Sequence, residues 1–393
     1  MKIGVVVDNE FFTDVRVLTE VEILKNGGHE VFVLHLSFPN SPSKNIEGVK
    51  TTAIPIQRKK KDFVYATMNW NPTYENLWID NISKFIDDNN IDALHVHDLY
   101  MAKSGRLGIE KSKKKIDLTL DLHENYPHAI QLYEWATKFP RNLLVQPKKW
   151  LKKEKEYLLY GDKIVVLSDF FANQLSDKYF IDKSSFVVYP NVPNVSFFDG
   201  LEIDNNILDK GNKITLFYFG VVARRRGIYT LLDGYEKLKK EFSNLELLII
   251  GPVDKNDKEK LASRIENTDD VIHYPWKDMA EFPSYVSYSD ICVSPLEKNP
   301  QHESGVANKV YQYMLFGKPV LVSNCGPQEE LVETTKCGLV FNHDSVSDFI
   351  DKARTLILNR EELVIMGENG RNAIIKKYNM DNYSLKFLEL YSN

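Results

Sequence analysis

The stretch QHESGVANKVYQYMLFGKPVLVSNCGPQEE, positions 301–330, decides the fold. A loop carrying the acid Glu303 runs into a short amphipathic helix. Gly317 stops that helix, and Pro319 opens an apolar strand through Val320, Leu321 and Val322. Gly326-Pro327 then turns the chain into another helix. Helix, strand and helix in such short succession is the unit of a parallel α/β sheet. A helix N-terminus here meets a carboxylate, an amide and Lys309. Outward-facing N–H groups and a positive dipole end suit a phosphorylated, hydroxyl-rich ligand.

The same alternation continues on both sides. Downstream of residue 211, strands are expected at 214–219, 245–250, 271–274, 291–294, 320–322 and 339–341. Helices are expected up to residue 242 and at 345–358, 360–377 and 381–391. Upstream, strands are expected at 3–7, 31–36, 49–54, 93–97, 118–122, 164–167 and 186–189. Helices are expected at 14–26, 74–89, 99–111 and after Ser168, with helical regions at 128–138 and 147–160. An irregular basic segment follows residue 54. A chain of 393 residues is too long for one ordinary core, and Pro190-Asn191-Val192-Pro193 interrupts the pattern. The fold class is therefore α/β, with two Rossmann-like doubly wound domains. The divisions are placed at 1–195, 196–375 and 376–393, the last a C-terminal helix packing back on the first domain. Ligands in such sheets bind beyond the carboxyl ends of the strands, so a cleft between facing domains is expected.

Composition narrows the function. Hydrophobic content of 43% and charged content of 27% describe a globular chain. The net charge of −5 opposes bulk attraction to nucleic acid. Cys292, Cys325 and Cys337 are odd in number and lack CxxC spacing, which argues for a reducing, cytoplasmic setting and against zinc. The opening MKIGVVVDNEFF reads as a buried strand and not as a leader, and no apolar run approaches a membrane span. Basic residues cluster at 58–61, 111–115 and Lys148, Lys149, Lys152, Lys153 and Lys155. The last group surrounds Trp150 and Tyr157, the pattern of a helix lying on the anionic cytoplasmic face of a membrane or of a solvated helix face.

Neither half has GxGxxG after its first strand, which argues against a dinucleotide cofactor. The turn from Gly220 to Gly227 carries Arg224, Arg225 and Arg226 into a helix, where a guanidinium fork can grip a diphosphate. His123 and Glu124 end one strand and Asp98 ends another, where side chains project towards a ligand. Asp14 is a helix N-cap, and Arg16 faces either the cleft or solvent. Among other histidines, His97 reads as support for the site and His95 as packing.

Taken in order, these pieces resemble a glycosyltransferase of the GT-B type, similar to family 4. They are Asp14-Val15-Arg16, Asn26-Gly27-Gly28-His29-Glu30-Val31, His95-Val96-His97-Asp98, Asp121-Leu122-His123-Glu124 and Tyr189-Pro190-Asn191-Val192. In the second half they are Tyr218-Phe219-Gly220, Arg226-Gly227-Ile228, Asn308-Lys309-Val310-Tyr311-Gln312 and Gly317-Lys318-Pro319-Val320. The resemblance implies a retaining enzyme that moves a sugar from a nucleotide sugar, UDP being the expected nucleotide. The implied acceptor is a saccharide or lipid-linked saccharide, with no cofactor and no metal. His123 and Glu303 would act at the donor sugar. Arg226, Arg225 and Lys309 would hold the diphosphate, and Gln312 and Gly251 the ribose and base. Asp14, Arg16, Asp98 and Glu124 would face the acceptor. Two departures stand out. Gln312 occupies a glutamate position, one residue further from Glu303 than usual, and Val221 stands where relatives carry arginine. Two rival readings remain: a sugar-nucleotide epimerase of the same fold, and a non-catalytic sugar-nucleotide-binding protein.

Overall fold

The computed structural model describes residues 1–40, 46–255 and 257–392. The chain forms two compact units, one of residues 1–190 with 384–393 and one of residues 191–383.

The first unit holds a seven-stranded parallel sheet. Its strands are β1 (Lys2–Val7), β2 (Glu30–Ser37), β3 (Val49–Pro55), β4 (Ala93–His97), β5 (Asp117–Asp121), β6 (Lys163–Val166) and β7 (Phe186–Val188), in the order β3-β2-β1-β4-β5-β6-β7. The second unit holds β8 (Ile214–Phe219), β9 (Leu245–Ile250), β10 (Val271–Tyr274), β11 (Ile291–Ser294), β12 (Val320–Ser323) and β13 (Gly338–Phe341). These also run parallel, in the order β10-β9-β8-β11-β12-β13. In each sheet the order reverses once, between β1 and β4 and between β8 and β11. A crevice opens beyond the strand ends at such a switch point.

Burial on both faces explains the unbroken apolar strands. Ile3, Val5 and Val6 of β1 are sealed in the core, as are Leu247, Leu248 and Ile249 of β9. The one acid of β9, Glu246, is buried too, and is satisfied by the Thr215 hydroxyl (2.8 Å) and Lys213 (3.0 Å). Helix entries follow their caps. The Asp14 carboxylate accepts from the Val17 N–H at 3.2 Å to start the helix Val15–Asn26. Ser168 does the same for Asp169–Tyr179 through Phe171. Each such cap contributes about 1 kcal/mol.

Three expectations change. The basic segment after β3 contains a helix, Arg58–Ala66. Its apolar side is short: Val64 and Tyr65 pack on the core beneath, while four consecutive basic and amide-rich positions hide the period. The helical region expected at 128–138 is broken into short helical turns, Tyr126–Ala129 and Glu134–Thr137, followed by Arg141–Val145. Pro140 and Pro147, which carry no N–H, bound the helix Arg141–Val145 at its two ends. Finally, the lysine-rich helix Trp150–Leu158 does not present its aromatic residues outward. Trp150, Tyr157 and Leu158 are buried in the core with Tyr126 and Ile130. The lysines remain on the outside of this helix, and Trp150, offered as an outward-facing aromatic anchor, is a packing residue. Beyond the expectations, two further helices, Lys258–Glu266 and Phe282–Tyr288, flank β10.

Candidate functional site

In the second unit the polar residues gather beyond β8 and β11. Gly220 ends β8 with φ of 128°. After it, residues 224–226 form a single tight turn closed by Gly227. Gly227 has φ of 72°, and a Cβ there would lie 1.5 Å from the Pro295 carbonyl oxygen. Only glycine lets the arginine turn lie against the chain leaving β11. The Glu297 N–H donates to the Arg225 carbonyl at 3.2 Å, fastening the two loops together.

Lys309 opens the helix Asn308–Leu315 and is buried. Its ammonium lies 3.8 Å from the centre of the Tyr218 ring, a cation–π contact. Burial, and then the Arg226 charge, hold this lysine well below the ordinary lysine range. His302 shows the same field. Its imidazole is pushed down to about 4, first by burial and further by Arg226, Arg225 and Lys309, against a hydrogen bond to the Glu297 carbonyl. Three cations thus converge on one buried loop. Glu303 follows His302, is also buried, and accepts from the Gly326 N–H at 2.8 Å. It therefore caps the helix Gly326–Thr335 with a fixed carboxylate. Gln312 lies on the same helix face as Lys309, three residues on. Of the residues offered to replace the arginine missing at Val221, Arg225 is half-buried among these groups, while Arg224 is exposed over Tyr229. Gly251 has φ of 148°, and a Cβ on it would meet the Gly220 carbonyl at 1.9 Å. Its visible task is to let the ends of β8 and β9 touch.

In the first unit a charge network fills the ends of β1, β4 and β5. Arg16 is not a surface residue. Its guanidinium spans both Asp121 oxygens (3.1 Å each), Glu20 (2.9 Å) and the Tyr189 carbonyl (3.3 Å). His95 lies 3.5 Å from Glu20 and 3.6 Å from Asp121, and its Nδ1 is 2.6 Å from the Tyr391 hydroxyl. His97 Nδ1 lies 2.7 Å from His123 Nε2. Burial would raise Asp121, but Arg16 and the histidines hold it well below the usual carboxylate range. Glu20 is pushed up to about 7 by burial and by Asp121. Burial lowers His123 to about 4, so its ring is neutral at physiological pH and offers a hydrogen bond instead of a charge. Removing Arg16 would break the buried ion pair with Asp121, at a cost on the order of 3–5 kcal/mol.

Asp98 sits at φ of 72° just after β4 and accepts from the Tyr100 hydroxyl at 3.2 Å. Burial, then Glu124 and Asp8, push its carboxyl up to about 8. Glu124 accepts from Tyr133 at 2.6 Å and is raised by burial. Asp14 is committed to its capping bond. The structure therefore gathers Arg16, Asp98, His123 and Glu124 beyond the carboxyl ends of β4 and β5, and Arg225, Arg226, Glu303 and Lys309 beyond those of β8 and β11, with Gln312 one turn along the helix from Lys309.

Among the described residues Glu20, His95, His97 and Asp121 form the one group with the composition and spacing of a metal site. Its carboxylates are already engaged by a fixed guanidinium, which supplies the cation such a group needs. Sequence reasoning did not find Glu20, His302, Tyr218 or Tyr391. Glu20 follows Arg16 by one helical turn and carried a readable signal. Tyr391 meets His95 across almost the whole chain, which no local pattern encodes.

Two family models match the chain. Residues 14–196 match Glycosyltransferase Family 4, and residues 201–373 match Glycosyl transferases group 1. The chain is 23% identical over 222 residues to an uncharacterized glycosyltransferase of Haemophilus influenzae, covering 56% of this chain and 58% of that one. It is 23% identical over 182 residues to a GDP-mannose-dependent alpha-(1-6)-phosphatidylinositol monomannoside mannosyltransferase of Mycobacterium tuberculosis, covering 46% and 47%. The match spans about half the length of these curated relatives. Among solved structures, the Anabaena protein HepE in complex with UDP aligns over 100% of this chain and 99% of its own, with a TM-score of 0.71 and 12% identity.

Proposed function

Because the chain belongs to the GT-B glycosyltransferases of the family 4-like type, we propose that it transfers a sugar from a nucleotide diphosphate sugar to a hydroxyl of a saccharide acceptor. The observation that carries this reading is the convergence of Arg225, Arg226 and Lys309 on one buried loop beside Glu303. An isolated buried lysine with depressed basicity is costly, and an anionic ligand relieves that cost. A diphosphate is the anion that matches two guanidinium forks, an ammonium and the N-terminus of the helix Ile228–Glu241.

In the proposed reaction the acceptor oxygen attacks the anomeric carbon while the bond from that carbon to the diphosphate oxygen breaks. The acceptor proton passes to the departing phosphate oxygen on the same face, so configuration is retained. The charge developing on the diphosphate falls to Arg226, Lys309 and the helix N-terminus; one such fixed donor is worth about 3–4 kcal/mol in the transition state. This division of labour needs no metal ion. Glu303, held rigid by Gly326, would orient sugar hydroxyls, and Gln312 would bond the ribose without charge. Neutral His123 would donate to the sugar. UDP is the proposed nucleotide, consistent with the HepE complex, although the mycobacterial relative is named for GDP-mannose. A lipid-linked acceptor and a site of action at the cytoplasmic face of a membrane complete the proposal; no helix among the described residues is long and apolar enough to cross one.

Product NMR tests the stereochemistry. The account expects the anomeric configuration of the donor in the product, and an inverted product would overturn the front-face mechanism. Conversion of a nucleotide sugar with no acceptor present would favour the epimerase reading instead.

A further inference from the structure

His95 and His97 alternate along β4, and Asp121 stands opposite His97 in the parallel register with β5. Side chains two apart along an extended chain share a face. The chain running on past Asp121 therefore brings His123 to the face that carries both histidines. The rings of His97 and His123 meet edge-on, 4.8 Å between centres, and His97 is fully buried.

A neutral imidazole carries one N–H and one lone pair. Both rings are neutral, because burial lowers each of them. The contact of 2.7 Å between His97 Nδ1 and His123 Nε2 therefore holds a single hydrogen and admits two arrangements. In one, His97 donates from Nδ1, and the hydrogen of His123 sits on its own Nδ1. In the other, His123 donates from Nε2, which leaves its Nδ1 bare and puts the His97 hydrogen on Nε2.

The surroundings of His97 separate the two. Asp121 Oδ2 lies 3.9 Å from His97 Nδ1, and Arg16 grips both Asp121 oxygens, which fixes a negative charge on that side. On the other side Glu20 Oε2 lies 3.7 Å from His97 Nε2, too far for a hydrogen bond. Glu20 is also the carboxyl that keeps its proton, up to about 7. A hydrogen on Nδ1 thus has a ring acceptor and a fixed anion before it, whereas one on Nε2 has a neutral carboxyl beyond bonding distance. His123 is half-buried, and its Nδ1 has no hydrogen-bond partner among the described residues.

We propose, resting on the glycosyltransferase reading, that His97 is a positioning residue: it holds His123 as the Nδ1–H tautomer, so that Nδ1 is the nitrogen available to the donor sugar. His97 acts only through His123, since its own ring is sealed in the sheet. Asp121, held by Arg16, sets the direction of the His97 N–H, and that direction sets which His123 nitrogen can donate to a hydroxyl.

Long-range 1H–15N correlation spectra of the full chain, labelled with 15N in its histidine rings and free of ligand, read the tautomer directly. The pH is set between about 4 and about 7, where His123 is neutral and Glu20 protonated. His123→Asn and His97→Asn assign the two ring signals by their loss. The expected spectrum has the His123 hydrogen on Nδ1 and a bare Nε2. His97→Asn, whose amide can donate from the place of Nδ1, should keep that pattern, and His97→Leu, which cannot donate, should lose it. His123 found as the Nε2–H tautomer in the unsubstituted protein would overturn the proposal, and that result needs no variant to fold. So would an Nδ1–H signal that persists in folded His97→Leu or vanishes equally in folded His97→Asn. Failure of UDP and GDP to bind would count against the donor reading alone, because the spectra are recorded without nucleotide.

Discussion

Lys309 is the residue on which the donor reading turns. It is an ammonium kept from water beside a second cation, and burial is the larger cause of its lowered basicity. A bound diphosphate stabilises the charged form and raises its pKa. The sign follows: binding takes up a proton between the lowered value of the free protein and the raised value of the complex, and affinity falls as pH rises through that window. Calorimetric titration with UDP in two buffers of different ionisation enthalpy should show net proton uptake at mildly alkaline pH. Proton release, or no buffer dependence, would remove Lys309 from the diphosphate. The sequence identified this lysine through its helix-opening position. It did not show the Tyr218 ring beneath it, because that contact joins segments far apart along the chain.

At the scale of elements, strand-and-helix alternation was legible because a parallel sheet buries both faces and writes apolar runs such as those of β1 and β9. Caps at Asp14 and Ser168 were legible for an equally local reason. The helix Arg58–Ala66 was not, since its stability comes from a narrow contact on the core under a basic exterior. For the aromatic pair on Trp150–Leu158 the sequence left two readings open, because a single amphipathic helix does not say whether its apolar face meets protein or lipid. The arginine turn illustrates an element whose geometry is set by one glycine. Placing Ala at Gly227 adds a Cβ against the Pro295 carbonyl and a positive φ that costs about 1 kcal/mol by itself. Gly227→Ala should therefore displace the turn, weakening nucleotide affinity together with a drop in melting temperature. A variant with wild-type affinity would show that the turn does not hold the donor.

Across the whole molecule, the chain leaves its first unit at residue 190 and supplies that unit again with residues 384–393. The sequence placed the divisions at 195/196 and 375/376. Within the returning segment Phe387 is fully buried, 4.8 Å from Tyr189 and 5.5 Å from His95 between ring centres, and Tyr391 holds His95 through its hydroxyl. The last residues of the chain thus close the charge network that orients His123. Phe387→Ala should cost about 3–5 kcal/mol in denaturant unfolding and lower activity with it, whereas Tyr391→Phe should cost about 1 kcal/mol. A fully stable Phe387→Ala protein would mean that this segment is dispensable to the unit.

The central claim is that the second unit grips a nucleoside diphosphate through Arg225, Arg226 and Lys309. Calorimetric titration of the full chain with UDP and GDP, paired with Arg226→Ala, tests it most directly. The expected result is saturable binding of one of the two nucleotides. Binding in the variant should be about 10- to 100-fold weaker, the worth of one charged hydrogen bond, at an unchanged melting temperature. Binding of neither nucleotide, or equal affinity in a folded Arg226→Ala protein, would contradict it.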